Sequence, residues 1–157
     1  MYTPMKKISS FSVFIGAIPG ALPPLIGYAA AVEMVRFEAL LLFSIQFIWQ
    51  FPHFWAIAWI LDDDYKKAGF KMLPSSFGKD KTSAFQILVY TIFVLPISLL
   101  PYLFGFTGVF SASISILFAL VFIAIVVWFY KNPSDALAKR IMLFSIIYLP
   151  IIQFILY

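Results

Sequence analysis

The sequence predicts an all-α integral membrane bundle with five transmembrane helices. Of its 157 residues, 63% are hydrophobic and 11% are charged, whereas soluble domains carry about 25% charged residues. Long apolar stretches and an uneven distribution of Lys and Arg support the same fold class. A helix needs about 20 consecutive apolar residues to cross the hydrocarbon of a bilayer. The bilayer, with its lipid, is therefore the predicted surroundings of the whole chain.

The apolar stretches define the individual helices. Asp, Glu, Lys and Arg are absent from residues 8–32, 39–61, 82–130 and 141–157, and His53 is the one histidine within them. The third stretch is long enough for two spans, and the glycine-containing turn after Pro101 divides it. One membrane domain over residues 1–157 is predicted, with helices at about 10–31, 38–61, 83–103, 109–130 and 138–157.

The basic residues predict an orientation. Ten of the eleven Lys and Arg residues lie in connections on one predicted face, and Arg36 lies on the other. Short loops that stay in the cytoplasm retain Lys and Arg. We therefore expect an inner or plasma membrane protein with its N-terminus and the 62–81 connection cytoplasmic and its C-terminus outside. Because topology accounts for the net charge of +4, that charge does not indicate a nucleic acid partner.

The first two predicted helices contain unusual residues for a membrane span. Gly16 and Gly20 are one turn apart, a pattern that allows close helix packing, and three prolines, at positions 19, 23 and 24, are expected to kink or break the helix. In the second helix Gln46, Gln50 and His53 fall on one face, and a continued helix brings Asp64 within about 60° of them. Such polar stripes normally face a bundle interior or a wet cavity.

The chemistry of this stripe has several interpretations. His53 is either a metal or haem ligand, a proton donor or acceptor, or a side chain bonded to a helix carbonyl. The triplet Asp62–Asp64 offers the oxygen ligands that Mg²⁺ prefers, although side chains about 100° apart allow only one or two to reach a single ion. A solvated helix end is the alternative. The following lysines either neutralise a diphosphate or carboxylate or simply follow the topology rule. Because the sequence contains no cysteine, thiolate sites are excluded.

Three segments resemble the protohaem IX farnesyltransferases, or haem O synthases, a family of UbiA-type membrane prenyltransferases. They are YTPMKK at Tyr2–Lys7, GAIPGALPPLIGYAA at Gly16–Ala30 and WQFPHFWAIAWILDDDYKKAGFKMLP at Trp49–Pro74. The resemblance implies transfer of a farnesyl group from farnesyl diphosphate to a vinyl group of haem B, with Mg²⁺ as cofactor. It also implies a bundle of about nine helices, of which this chain is similar to the C-terminal half.

The resemblance also implies roles for particular residues. Asp64 is the expected leading residue for Mg²⁺ and diphosphate, with Asp63 as a weaker support and Asp62 weaker still. His53 is the second expected catalytic residue, in contact with haem iron or a propionate. The expected substrate-binding residues are Trp49, Gln50, Phe54, Tyr65, Lys6, Lys7 and Lys67, among which the aromatic rings of Trp49, Phe54 and also Trp55 have plain packing as their alternative.

The family's first acidic motif has no counterpart in residues 1–157. A missing or separately encoded N-terminal half is therefore an expected partner, and the chain is expected to be incomplete or inactive alone. The alternatives are a catalytically incompetent product of truncation, a fragment of another UbiA-type polyprenyltransferase, or a small membrane transport or binding subunit. The last is disfavoured because the final three helices offer few polar residues, chiefly Ser98, Ser145 and Gln153.

Overall fold

The protein is an all-α bundle, seen here in a computed structural model that describes residues 12–70, 72–74 and 78–156. Within these ranges, five helices are long and apolar enough to cross a membrane, which confirms the predicted fold class. A sixth helix is short. In chain order the helices are α1 (Ser12–Val32), α2 (Phe37–Ile60), α3 (Asp62–Lys67), α4 (Lys81–Leu103), α5 (Val109–Lys131) and α6 (Asp135–Ile155).

Two helix boundaries differ from the expected ones for local reasons. Leu61, with φ −98° and ψ 16°, interrupts the predicted second helix, so that α2 ends at Ile60 and α3 follows as a separate turn. The last helix begins at Asp135, earlier than expected, because the Ser134 hydroxyl accepts a hydrogen bond from the backbone N–H of Leu137 at 3.3 Å. Such a cap satisfies one of the otherwise unpaired donors of the first turn.

Helix α2 lies at the centre of the bundle. It packs against α1, α4 and α6, while α5 packs against α4 and α6. Aromatic rings fill the α2–α4 contact: Phe51 and Tyr90 have ring centroids 4.7 Å apart, and Trp55 meets Tyr90 edge-on at 5.0 Å. Side chains on α2 therefore reach three neighbouring helices, and this central position organises the candidate site.

Helix α1 lies close to α2 through Gly20. A Cβ atom built on Gly20 would overlap the side-chain amide oxygen of Gln50, so glycine is required for the approach, as the spacing of small residues predicted. The expected break at the prolines does not occur. The helix continues through Pro19, Pro23 and Pro24, and freed backbone carbonyls in membrane helices can be satisfied by neighbouring side chains.

Candidate active site

The predicted site residues fall into two groups. The first lies within the membrane span of α2 and contains Trp49, Gln50, His53 and Phe54; the second lies on α3 and contains the carboxylates that follow Leu61. We refer to them as the membrane-depth group and the carboxylate group. The expected polar stripe does not join them, because α2 ends at Ile60 and Asp64 belongs to a different helix.

In the membrane-depth group, His53 and Trp49 both contact Ser145 of α6. The ring nitrogen Nδ1 of His53 is 2.7 Å from the Ser145 hydroxyl. The indole N–H of Trp49 donates to the backbone carbonyl of Ser145 at 2.8 Å. The two rings stack with centroids 4.7 Å apart and planes 14° apart. The imidazole is thus held by a hydrogen bond at one edge and by an indole on one face.

Gln50 faces α1 and is 2% exposed. Its amide nitrogen donates to the backbone carbonyls of Ala17, at 3.2 Å, and Gln46, at 3.1 Å. The amide of Gln153 in α6 donates to the side-chain oxygen of Gln46 at 3.0 Å. The side-chain amides of Gln50 and Gln46 therefore tie α1 and α6 to α2, and Gln50 lies in the bundle interior, one of the two surroundings that the stripe predicted.

The aromatic residues of this segment have different surroundings. Trp49 and Trp55 are buried, whereas Phe54 is 43% exposed. Phe54 meets the ring of His53 edge-on at 5.4 Å. Phe54 and the partly buried His53 therefore mark a side of α2 that the described helices leave open, while the two tryptophans belong to the packed interior.

In the carboxylate group, Asp62 is the enclosed residue. Its side chain is 8% exposed, and its Oδ2 atom lies 2.6 Å from Lys66 Nζ. The hydrogen bond from Lys66 to Asp62 raises the pKa of the lysine above its ordinary value. Gly78 packs on the same pair, since a Cβ there would lie 2.9 Å from Lys66 Nζ and 3.1 Å from Asp62 Oδ2. Asp62 therefore holds the end of the connecting loop against α3.

Asp63 and Asp64 project from α3 and are exposed. The Asp64 side chain is 74% exposed and has an oxygen 3.7 Å from Nζ of Lys67, which is 80% exposed. An ion pair this long and this accessible constrains neither partner strongly. Tyr65 is partly buried and packs against the hydrophobic core. Asp63, Asp64 and Lys67 are thus available to a ligand, and Tyr65 anchors the helix that carries them.

The loop after α3 is fastened to the bundle at its far end. Lys79 Nζ lies 2.8 Å from an oxygen of Asp135 at the start of α6. Asp80 caps α4 by accepting from the backbone N–H of Ser83 at 2.7 Å, and the Ser83 hydroxyl donates to the Gly78 carbonyl at 2.8 Å. Together with the Asp62–Lys66 pair, these bonds bring both ends of the loop to the same end of the bundle.

The donor chemistry of Asp63 and Asp64 fits Mg²⁺. This ion is commonly bound by one or two carboxylates together with waters and substrate phosphates, and both residues present accessible carboxylate oxygens. Among the described residues, no three His, Cys, Asp or Glu side chains form a group that could hold a metal. The carboxylate group therefore offers part of a ligand set for such an ion.

Lys6 and Lys7, which were predicted to bind substrate, lie outside the described residues, as does Lys71, another lysine of the 62–81 connection.

The contact of Ser145 with His53 was not predicted from the sequence. Ser145 lies 92 positions from His53, and a single hydroxyl in an apolar helix carries no information about its partner. The only available signal was that Ser145 is one of few polar residues in the last three helices.

Comparison with known proteins places the chain in a family. The UbiA prenyltransferase family matches residues 1–148, so the chain belongs to that family of membrane prenyltransferases. Curated relatives named protoheme IX farnesyltransferase include those of Cytophaga hutchinsonii, 48% identical over 98% of this chain and 54% of the relative, and Flavobacterium psychrophilum, 48% identical over 98% and 52%.

A more distant relative of the same name, from Solibacter usitatus, is 41% identical over 97% of this chain and 52% of its own length. The chain therefore spans about half the length of the curated relatives it matches. No solved structure was found to match it.

Proposed function

We propose that this chain forms part of a protohaem IX farnesyltransferase, or haem O synthase, and holds the diphosphate of farnesyl diphosphate at its carboxylate group. The observation that carries the proposal is the exposed pair Asp63 and Asp64 at the end of an apolar, aromatic helix. The relatives named protoheme IX farnesyltransferase support the choice of substrates. The N-terminal half that the relatives' length implies is the proposed partner.

In the proposed reaction, the bond between C1 of the farnesyl group and the diphosphate oxygen breaks, and C1 joins a vinyl carbon of haem B. Water adds to the resulting cation and loses one proton, which gives the hydroxyethylfarnesyl substituent of haem O and free diphosphate. When bound, Mg²⁺ supplies positive charge that stabilises the departing diphosphate.

The residues of the carboxylate group and the residues near it have separate proposed roles. Asp64, with support from Asp63, holds the metal that meets the phosphate oxygens, and Lys67 contacts the phosphates directly. Lys6 and Lys7 are proposed as further anion contacts. Fixed charges placed where negative charge develops lower the barrier of such a step. Tyr65 keeps α3 in place through its packing against the core, so the charges stay at the end of α2.

The isoprenoid chain of one substrate and the porphyrin of the other are apolar, and they require an apolar surface beside these charges. Phe54, which is 43% exposed, and the open edge of His53 provide such a surface along α2 toward the carboxylate group. Aromatic side chains bury large areas and pack well against extended hydrocarbon and flat rings. We propose this side of α2 as the contact for the isoprenoid chain and the porphyrin.

The proposed reaction is tested in a chimera, in which this chain replaces the matched segment of the Cytophaga hutchinsonii relative. Membranes with the chimera are incubated with haem B, farnesyl diphosphate and Mg²⁺, and haem O is sought by mass spectrometry. We expect haem O from the chimera and none from the 157 residues alone, which lack the first acidic motif. The parent relative is the positive control.

Other outcomes would contradict the proposal. An inserted chimera that makes no haem O while its parent does would remove the assigned reaction. Prenylation of a different acceptor would favour another UbiA-type activity. Haem O from the 157 residues alone would refute the need for the absent motif.

The proposed orientation places the carboxylate group in the cytoplasm and the α4–α5 connection outside. Because the chain has no native cysteine, single cysteines report their own positions. We expect a membrane-impermeant maleimide to label Phe106→Cys in intact cells and to label Ala68→Cys only after the membrane is opened. Both positions are exposed, so burial does not account for a difference, and the reverse pattern would invert the topology.

A further inference from the structure

The contacts of Ser145 determine which nitrogen of His53 carries the proton. The Ser145 hydroxyl lies 2.6 Å from the backbone carbonyl oxygen of Met142 and 2.7 Å from His53 Nδ1. A carbonyl oxygen only accepts hydrogen bonds, whereas a ring nitrogen of histidine donates or accepts according to its tautomer. The hydroxyl has a single proton. Both short contacts are hydrogen bonds only if that proton goes to Met142 and Nδ1–H of His53 donates to Ser145.

The same arrangement leaves a lone pair on Nε2 of a neutral His53. Nε2 has no hydrogen-bond partner among the residues that the structure describes. The ring is partly exposed, beside Phe54 on the open side of α2. Hydrocarbon provides no partner for a nitrogen lone pair, so an unbonded Nε2 at membrane depth indicates that another group contacts it there.

The resemblance already implies a contact between His53 and the haem; we infer that Ser145 is the positioning residue that fixes the tautomer of His53, so that Nε2 is the ring nitrogen that would meet the haem iron. The inference rests on the proposed function, because haem B is the substrate proposed there. Neutral imidazole nitrogen is a common ligand of iron. Histidine ligands of metals usually donate their other ring N–H to a fixed acceptor, which orients the ring and raises its basicity.

Trp49 provides the second restraint on the ring. Its indole stacks on the imidazole, and its N–H is bonded to the carbonyl of the same Ser145. The ring plane and the proton position are therefore both set by contacts to one residue of α6.

The tautomer is tested directly by nitrogen NMR of the chain in lipid nanodiscs. His53 is the only histidine of the 157 residues, so labelling with ¹⁵N-histidine and purification through a tag without histidine give a single ring spectrum. We expect a protonated Nδ1 and an unprotonated Nε2. In Ser145→Ala we expect the two tautomers to mix, and in Ser145→Thr we expect the original spectrum. A ring protonated at Nε2 in the unsubstituted chain would overturn the inference.

The ligand role is tested by titrating the chimera with haem B and recording the Soret band. We expect His53→Ala to abolish the spectrum of histidine-ligated haem and Ser145→Ala to weaken haem binding by about 10- to 100-fold, the usual effect of losing such a supporting bond. Ser145→Thr should restore affinity. Thr91→Val is the matched control, because it removes another buried hydroxyl, bonded to the backbone carbonyl of Ile87 in its own helix, and should leave the spectrum unchanged.

The outcomes separate this inference from the proposed function. If the chimera makes haem O and the Soret band of inserted His53→Ala is unchanged, the ligand assignment is wrong and the reaction stands. If His53 ligates haem but no haem O forms, the reaction is wrong and the ligand assignment stands. If His53→Ala fails to insert, Ser145→Ala provides the test. An unchanged affinity for haem B together with an unchanged tautomer of His53 would refute the positioning role of Ser145.

Discussion

The membrane-depth group and the carboxylate group differ in how far this chain completes their geometry. Around His53, side chains from two helices far apart in sequence fix the ring by stacking and by hydrogen bonds within the bundle. Asp64 has only a long contact to an exposed lysine. Contacts within the chain hold the first group in place, whereas the second has few such contacts, and we propose that metal and phosphate oxygens complete its geometry.

This difference predicts different consequences of substitution. Replacing a residue that contacts the imidazole of His53 should change ligand affinity or helix packing, because the chain itself supplies those contacts. Replacing an exposed carboxylate should leave the fold intact and remove charge stabilisation from the reaction.

The largest effect is expected for Asp64→Asn in the chimera. Loss of one metal-binding carboxylate should lower kcat by about 100-fold or more, the usual scale for removing a group that stabilises developing charge. Membrane insertion should be unchanged because the side chain is 74% exposed. The assay is haem O formation per inserted protein. Asp135→Asn, which removes a carboxylate paired with Lys79 on the same end of the bundle, is the control, and near-normal turnover in Asp64→Asn would remove Asp64 from the metal site.

The second prediction tests the rigidity of the bundle around α2. Gly20→Ala should destabilise the protein by about 1–3 kcal/mol, because the added methyl group overpacks a tight interface and displaces the Gln50 amide. Unfolding in mixed micelles by denaturant measures the change. Gly27→Ala has open space around its Cβ and should alter stability by less than about 1 kcal/mol, in the stabilising direction. Equal effects at the two glycines would contradict the close α1–α2 contact.

The third prediction concerns the loop that supports the carboxylate group. Gly78 has φ +85°, and a Cβ there meets the Asp62–Lys66 pair, whereas Gly69 has φ +73° and open space. Alanine at either position should cost about 1–2 kcal/mol for its left-handed backbone. Only Gly78→Ala should also loosen the loop, which limited proteolysis of residues 62–80 would detect. Identical cleavage rates for the two variants would show that the loop does not rest on the ion pair.

The smallest effect is expected for the pKa of Lys66 and for the rate at which its amine reacts. Because its bond to Asp62 raises the pKa of Lys66, the pair stabilises the loop fully below the ordinary pKa of lysine and loses this contribution as pH rises through the raised pKa. Asp62→Asn should lower that pKa and speed the reaction of Lys66 with an amine-selective reagent, measured by mass spectrometry. Lys67 serves as the internal control, since its partner is Asp64. An unchanged rate at Lys66 would contradict the ion pair.

The sequence predicted the bundle because each membrane span is a local property of about 20 residues. The close approach at Gly20 was likewise readable from the short spacing of Gly16 and Gly20. The separate helix α3 was missed, because the break at Leu61 is a modest change of two backbone angles in a stretch with no glycine or proline. For the same reason the extension of the stripe to Asp64 was wrong, while Gln46, Gln50 and His53 do lie on one helix.

The roles of individual polar residues depended on contacts that a sequence does not encode locally. The resemblance ranked Asp62 behind Asp63 and Asp64 without a physical reason, and the fold shows how they differ: Gly78 and Lys66 enclose Asp62, while Asp63 and Asp64 remain exposed. Likewise, His53 was prominent as a lone histidine, but its proton position depends on Ser145, 92 residues away. The candidate residues were therefore identifiable from the sequence, whereas their contacts and exposure required the fold.

The central claim is that the membrane-depth group binds haem B and the carboxylate group binds farnesyl diphosphate. The most direct test is a pair of KM measurements on the chimera. We compare Ser145→Ala with Lys67→Gln, and we measure the KM for haem B and for farnesyl diphosphate in the same membranes. The account predicts that Ser145→Ala raises only the KM for haem B and that Lys67→Gln raises only the KM for farnesyl diphosphate. If each substitution shifts both constants equally, the two groups do not hold different substrates and the account is wrong.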